Sequence, residues 1–489
     1  MSRIVVIGSG FGGMGAALRL LARGHEVTIL EKLDKPGGRA YVFEQDGYTF
    51  DAGPTVITAP WLIHEIFELF GKRSDDYVRI VPVQPFYRIA FHDRSFFEYN
   101  NDQDFIEENI RKFNPDDVDG YRAFMKQTKP IFEKGFVELA DKPFLTLGSM
   151  LRVVPDLLRL GSHRSVYSYV SRFIKDPRLR MVFTFHPLLV GGNPFHTTSI
   201  YAMIHYLEKE WGVHYAMGGT GTVIRGFAKL FEEEGGTLRL NAEVDRIEVR
   251  EGMARAVHLK DGSSIEADIV VSNADVAHTY LDLIDRSARR KNSDRKLRGM
   301  RYSMSLVVIY FGTTRHYPDI AHHTIILSHR YRELLDDIFR RKVLADDFSL
   351  YLHRPTATDA SMAPSGGDAF YVLAPVPNNA SGIDWKTEGP KLQARIMAFL
   401  EKNYLPELSA HLATARLFTP DDFEHRLNSH LGSAFSVEPI LTQSAWFRPH
   451  NRSEDVRNLY FTGAGTHPGA GLPGVLSSSK IVEELIGSA

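Results

Sequence analysis

The N-terminal stretch constrains the fold more than any other part of the chain. An all-apolar run, Ile4 to Ile7, leads into Gly8, Gly10 and Gly13 in G-x-G-x-x-G spacing, with Phe11 and Gly12 inside the same loop, and Met14 to Leu21 continues as an alanine- and leucine-rich segment. Strand, glycine turn and helix in that order build a dinucleotide-binding βαβ unit. Gly8 lets the chain turn tightly, Gly10 lets backbone approach a pyrophosphate, and Gly13 lets the helix pack close to the strand. The free N–H groups of the helix N-terminus then face the negative charge. Gly24 ends the helix and Val27 to Leu30 supply a second buried strand. Glu31, followed by Lys32, stands about twenty residues beyond Gly10, where a carboxylate accepts ribose hydroxyls and disfavours a 2′-phosphate. The motif predicts a dinucleotide and leaves NAD and FAD both open.

A chain of 489 residues has room for more than one domain. Its net charge of −2, with 24% charged and 43% hydrophobic residues, describes a folded globular protein and argues against nucleic acid as the main partner. The absence of cysteine excludes disulfides, iron–sulfur clusters and thiol nucleophiles. No G-x-S-x-G is present, and Gly71-Lys72 lacks the glycine spacing of a P-loop. The 20 histidines predict no metal site, since there is no H-E-x-x-H and strand neighbours such as His322 and His323 point to opposite faces. The N-terminus lacks signal-peptide features and no run reaches the ~18 apolar residues of a spanning helix. The expected location is cytoplasmic.

A second glycine pair decides between the dinucleotides. Past Glu31 come Pro36-Gly37-Gly38-Arg39-Ala40-Tyr41 and Phe50-Asp51-Ala52-Gly53-Pro54, which an NAD domain does not need. This stretch resembles the G-G-R segment of amine-oxidase-like and phytoene-desaturase-like flavoproteins, in which it runs along the FAD pyrophosphate and flavin. Arg39 would neutralise phosphate charge while Gly37 and Gly38 bring bare backbone close. Near the C-terminus, Leu459 to Phe461 reads as a strand and Val475 to Ile486 as a helix, separated by Gly463, Gly465, Gly469, Gly471 and Gly474. Too few residues follow Gly474 for a second Rossmann unit, so the segment is expected to set the N-terminus of the last helix beside a flavin.

The whole C-terminal segment, from Asn458 to Val475, closely resembles the signature of bacterial-type phytoene desaturases, FAD-dependent carotenoid-modifying enzymes. Leu188 to Phe195 (L-L-V-G-G-N-P-F) and Gly432 to Pro439 (G-S-A-F-S-V-E-P) extend the resemblance over nearly the whole chain. It implies an α/β protein: a Rossmann-like FAD-binding domain assembled from residues 1–75, 218–290 and 450–489, a helical lid and membrane-associated region at 76–217, and a mixed-sheet substrate domain at 291–449. Gly218 to Gly221 opens an amphipathic helix, Thr237 to Leu240 reads as a strand, and Ile265 to Asn273 as another that returns to the sheet. Val244 is expected near the adenine, and Asn273, Asp275, Gly463, Gly465, Gly474 and Val475 at the cofactor. Met304 to Phe311 and Ala369 to Ala374 suit buried strands flooring an apolar cavity.

The activity implied is FAD-dependent insertion of double bonds into phytoene, stepwise through to lycopene. A stop at neurosporene, action on a later carotenoid, another amine-oxidase-like reaction, or a carrier or isomerase without redox turnover all remain open. The partners implied are a long apolar polyene, an external electron acceptor such as oxygen or a quinone, and the surface of the inner membrane. Pro143 to Lys175 interleaves leucines with Arg152, Arg159, Arg164 and Arg172, the pattern of a basic amphipathic surface helix. A solvated helical lid explains it equally. The sequence assigns no catalytic residue; Arg152, His205, His467 and Glu438 sit in segments that could approach the cavity.

Overall fold

The computed structural model describes residues 1–489. Two helices, α1 (Phe11–Ala22) and α4 (Leu472–Ile486), start at the site, and α2 (Leu147–Arg159) and α3 (Thr220–Glu233) lie away from its lining. The N-terminal motif becomes β1 (Arg3–Ile7), α1 and β2 (Glu26–Leu30). With β3 (Thr237–Arg239), β4 (Ile269–Ser272) and β5 (Leu459–Phe461) they form an all-parallel sheet in the order β5–β4–β1–β2–β3. The strand order reverses between β1 and β4, and a ligand crevice opens at such a switch point. Buried β-branched residues on both faces of β1 explain why it takes the centre.

α1 lies against α4 across small residues. A Cβ on Gly15 would stand 2.9 Å from Ser479 Oγ, and one on Gly13 only 2.0 Å from the carbonyl oxygen of Gly8. The same helix pair carries a buried ion network: Arg19 bonds Glu65 and, at 3.2 Å, Glu483, which Arg23 also reaches at 2.8 Å. The β3–β4 connection is a three-stranded antiparallel ribbon, Val244–Arg250, Met253–Leu259 and Ser264–Glu266. The expected continuous strand from Ile265 to Asn273 is therefore two strands. They part at Ala267 and Asp268, where the Asp268 carboxylate accepts the Arg3 N–H at 2.8 Å.

The second sheet has seven strands in the order Leu412–Phe418, Ser305–Thr313, Asp368–Val376, Leu350–His353, His323–Ile326, Tyr87–Ala90 and Phe96–Tyr99. Its last two strands correct the expected boundary at residue 76. The segment expected as a helical lid supplies them, because Tyr87–Ala90 pairs in parallel with His323–Ile326 and buries Tyr87 and Ile89. Side chains alternate across the sheet. Val307, Ile309 and Phe311 pack under helix Trp385–Asn403, while Leu306, Val308 and Tyr310 join the core on the opposite face.

The basic stretch from Pro143 to Lys175 is not one helix. α2 ends at Arg159, Gly161 adopts φ +78°, and a short helix resumes at Val166–Val170. On α2, Leu147, Leu151 and Leu158 are exposed, between 51% and 60%. No helix is long and apolar enough to cross a membrane.

Candidate active site

One continuous cavity starts at the crevice between β1 and β4 and runs beneath the seven-stranded sheet. It is lined by 70 residues, 42 of them hydrophobic. Its two ends differ in material. At the crevice the wall is largely backbone: Gly8, Gly10, Gly12, Gly37, Gly38, Gly463, Gly471 and Gly474. Added side chains have no room here. A Cβ on Gly12 would lie 2.7 Å from Asn273 Nδ2 and 3.1 Å from the Cα of Gly463. α1 and α4 both start at this wall, N-capped by Gly10 and Gly471 without a side-chain cap, so their first-turn N–H groups are left for an anion.

The polar side chains of this end have defined partners. Glu31 accepts the N–H and hydroxyl of Ser9 on one oxygen and the N–H of Leu33, at 2.8 Å, on the other. It ties the glycine loop to the end of β2. Lys32 Nζ donates to the His425 carbonyl and Asn428 Oδ1, both at 2.7 Å. Asn273 follows β4 and donates to the Thr462 carbonyl at 3.0 Å, joining the two strands beside the switch point. Asp275 caps the next turn through the N–H of Ala277. Arg39 donates to Ser429 Oγ at 2.6 Å, and its Nε is buried without a partner. Burial pushes this guanidinium's pKa down, and the Asp275 charge opposes the shift.

Of the residues expected at a cofactor, Gly8, Gly10, Phe11, Gly12, Glu31, Lys32, Gly38, Arg39, Val244, Asn273, Asp275, Gly463, Gly474 and Val475 line this cavity. Gly13 and Gly465 do not. Gly13 is the contact of α1 on β1, and Gly465 packs on Val276, where a Cβ would come within 2.8 Å of Cγ2. Both act in packing.

The far end is walled by side chains, among them Phe43, Phe185, Leu188, Leu189, Leu306, Val308, Tyr351, Tyr371, Leu373 and Phe418. One carboxylate sits in this part of the wall: Glu208. Its Oε1 accepts from the Tyr87 hydroxyl at 2.7 Å and its Oε2 lies 3.0 Å from His186 Nε2. Burial pushes Glu208 up to about 7 and His186 down to about 3, so both are driven towards their uncharged forms. The sequence does carry a signal for this residue. Glu208 occupies the i+4 position from Ile204 on helix Met203–Trp211, on the face that should be apolar.

None of the four side chains singled out from sequence reaches the cavity. Arg152 is exposed on α2. His205 is held by the Tyr99 hydroxyl and the Phe183 carbonyl, both at 2.9 Å. His467 contacts the Leu139 carbonyl at 3.1 Å, and Glu438 pairs with Arg301 at 2.9 Å.

The expectation for His322 and His323 also fails. Their rings lie 4.4 Å apart, centroid to centroid, with His353 beside them. The strand begins only at His323, so strand alternation does not govern His322. That ring turns back to Thr358 Oγ1, 2.7 Å from its Nδ1.

A model of the flavin containing amine oxidoreductase family matches residues 11–482. The chain is 52% identical over 487 residues to a lycopene-forming phytoene desaturase of Pantoea ananas, covering 99% of both chains. It is 44% identical to a neurosporene-forming phytoene desaturase of Rhodobacter capsulatus, covering 100% of this chain and 94% of the other. Putrescine oxidase bound to putrescine superposes with a TM-score of 0.67 at 13% identity, covering 99% of each chain. That similarity shows the shared fold.

Proposed function

The chain belongs to the flavin containing amine oxidoreductase family, and from that premise we propose that it is an FAD-dependent phytoene desaturase that inserts double bonds stepwise into phytoene to form lycopene. One observation carries the reading: a single cavity joins a backbone-walled crevice between two helix N-termini to a deep apolar chamber. The full-length similarity to lycopene-forming relatives supports the extent of the reaction.

The residues of the crevice fit FAD. The Gly8–Gly12 loop and the N-terminus of α1 suit a pyrophosphate, and the unpartnered Nε of Arg39 is a donor awaiting an acceptor. Glu31 suits the ribose and Val244 the adenine. Lys32, Gly38, Asn273, Asp275, Gly463, Gly474 and Val475 would complete the wall around the cofactor, with the N-terminus of α4 favouring negative charge on it. Bound there, the flavin supplies the hydride acceptor that no side chain provides.

The chain's own residues then position the polyene and exclude water. Phe185, Leu306, Val308 and Leu373 offer only apolar surface, which favours a hydrocarbon. Desaturation also releases a proton from the neighbouring carbon. Glu208, oriented by Tyr87 and His186, takes that proton on its carboxyl oxygen. An external acceptor, oxygen or a quinone, closes the cycle. The exposed leucines of α2, interspersed with Arg152 and Arg159, support docking on an anionic membrane surface, from which a lipid-dissolved substrate would enter.

The test is turnover of phytoene in liposomes with FAD and oxygen or a quinone. Long-wavelength absorbance of a lengthened chromophore is expected, and no coloured product would defeat the desaturase reading. A spectrum ending at neurosporene would correct only the number of steps. Flotation with anionic vesicles tests the membrane contact separately, and protein left at the bottom of the gradient would remove it.

A further inference from the structure

Behind the cavity wall, where strands His323–Ile326 and Leu350–His353 pair, three histidines form a cluster that the desaturase reading does not use. Within the set of His322, His323 and His353, one ring nitrogen from each lies within 4.8 Å of the others, and all three residues are buried. Two of the rings have a partner outside the cluster. His322 Nδ1 meets Thr358 Oγ1 at 2.7 Å, and His323 Nδ1 meets the Tyr351 hydroxyl at 2.7 Å. His353 Nδ1 lies 3.3 Å from His323 Nδ1. Yet the Nε2 of every ring is buried without any partner. Three unmatched polar atoms on adjoining rings are uncommon in a folded protein, because each costs about 1–3 kcal/mol.

We propose that His322, His323 and His353 form a binding site for a divalent transition-metal ion of the zinc class. Neutral imidazoles are the ligands such ions prefer where no thiolate is available. Tetrahedral coordination at about 2.0–2.1 Å per nitrogen brings ligand nitrogens to roughly 3.3 Å from one another. The cluster therefore has to contract by up to about 1.5 Å at its widest pair, a change that imidazole rotation has to supply. Thr358 and Tyr351, bonded to Nδ1 of His322 and His323, orient two of the rings.

Two further polar side chains adjoin the cluster. Tyr215 packs on His322 with ring centroids 4.8 Å apart, and its hydroxyl is buried and unpartnered. Arg354, the cation acting on His322, is itself held by Asp368 at 3.4 Å. The ion would clamp the start of one strand to the end of its neighbour, directly behind Tyr351 of the cavity wall.

The test uses the full-length holoprotein, free of any affinity tag and produced with zinc or cobalt in the medium so that the buried site fills during folding. Elemental analysis after desalting should give about one ion per chain. The cobalt form should show the intense visible bands of tetrahedral nitrogen coordination, and metal-loaded protein should melt about 2–4 °C above metal-free protein. His322→Gln and His353→Asn should each cut metal content at least tenfold while flavin absorbance at 450 nm reports an intact fold. Less than about a tenth of an equivalent in the wild-type protein overturns the proposal. Metal retained by both variants overturns it too, since the ion then sits elsewhere.

Discussion

The two ends of the cavity solve opposite problems with opposite materials. The crevice keeps charges and discards side chains: Glu31, Lys32 and Arg39 sit among glycines whose backbone is the contact surface. The chamber keeps side chains and suppresses charge: its polar groups, Glu208 and His186, are pushed by burial towards neutrality. A surface made of backbone tolerates no added atom. A surface made of interdigitated side chains gives way gradually. Substitutions at the two ends should therefore fail differently.

The sharpest test of that contrast is Gly12→Val. The new side chain would drive into Asn273 and Gly463, and at least a tenfold, all-or-none loss of bound flavin is expected, read at 450 nm after gel filtration. Full flavin retention would break the contrast. Glu208→Gln should act at the other end only, keeping flavin while lowering turnover about 10²–10⁴-fold. Because Glu208 accepts a proton only when ionised, the wild-type rate should climb with pH through about 7 and then level off. The variant should lose that rise, and an unchanged profile would remove Glu208 from the reaction.

Acid should attack the buried histidines first. His186, His205 and His467 are held by burial at about 3, 3 and 4. Their stability is present above the unfolded value near 6.5 and is lost as pH falls below it, on the order of 1 kcal/mol per group by pH 5.5. Glu208 runs the other way. Its raised value contributes stability in acid that disappears as pH climbs through about 7. The net expectation is a loss of about 2 kcal/mol between pH 7.5 and 5.5. It should grow in Glu208→Gln, measured as the thermal midpoint by circular dichroism; a midpoint that does not move with pH would contradict the neutral-histidine picture. The smallest effect on the fold belongs to α2. Leu151→Asp with Leu158→Asp should leave stability within about 0.5 kcal/mol, both side chains being exposed, yet reduce vesicle flotation several-fold.

The legibility of the chain follows the same division. Gly8, Gly10 and Gly12 could be read from sequence because backbone-built sites depend on local spacing, and their neighbours Glu31 and Arg39 stand at offsets set by the strands. Gly13 packs α1 close to β1 as its place in the motif requires, whereas Gly465 shows the limit of spacing: it marks where a side chain is forbidden, and only packing tells whether a ligand or the protein itself forbids it. Glu208 escaped because its partners, Tyr87 and His186, come from a distant strand and a separate turn. The strands at Tyr87–Ala90 and Phe96–Tyr99 were hidden for a related reason, since they are completed by a parallel neighbour more than two hundred residues away. At His322 the alternation rule was sound, but the strand starts one residue later.

By itself, then, the sequence determined the nucleotide-binding unit, the segments that build it, and the glycines of the crevice. These depend on backbone conformation and short-range periodicity. Only the tertiary structure decided which carboxylate faces the apolar chamber, that Gly465 serves packing, and that three histidines meet behind its wall. Those outcomes rest on contacts between segments far apart in the chain; helical periodicity marks Glu208 as out of place on an apolar face but not what it faces.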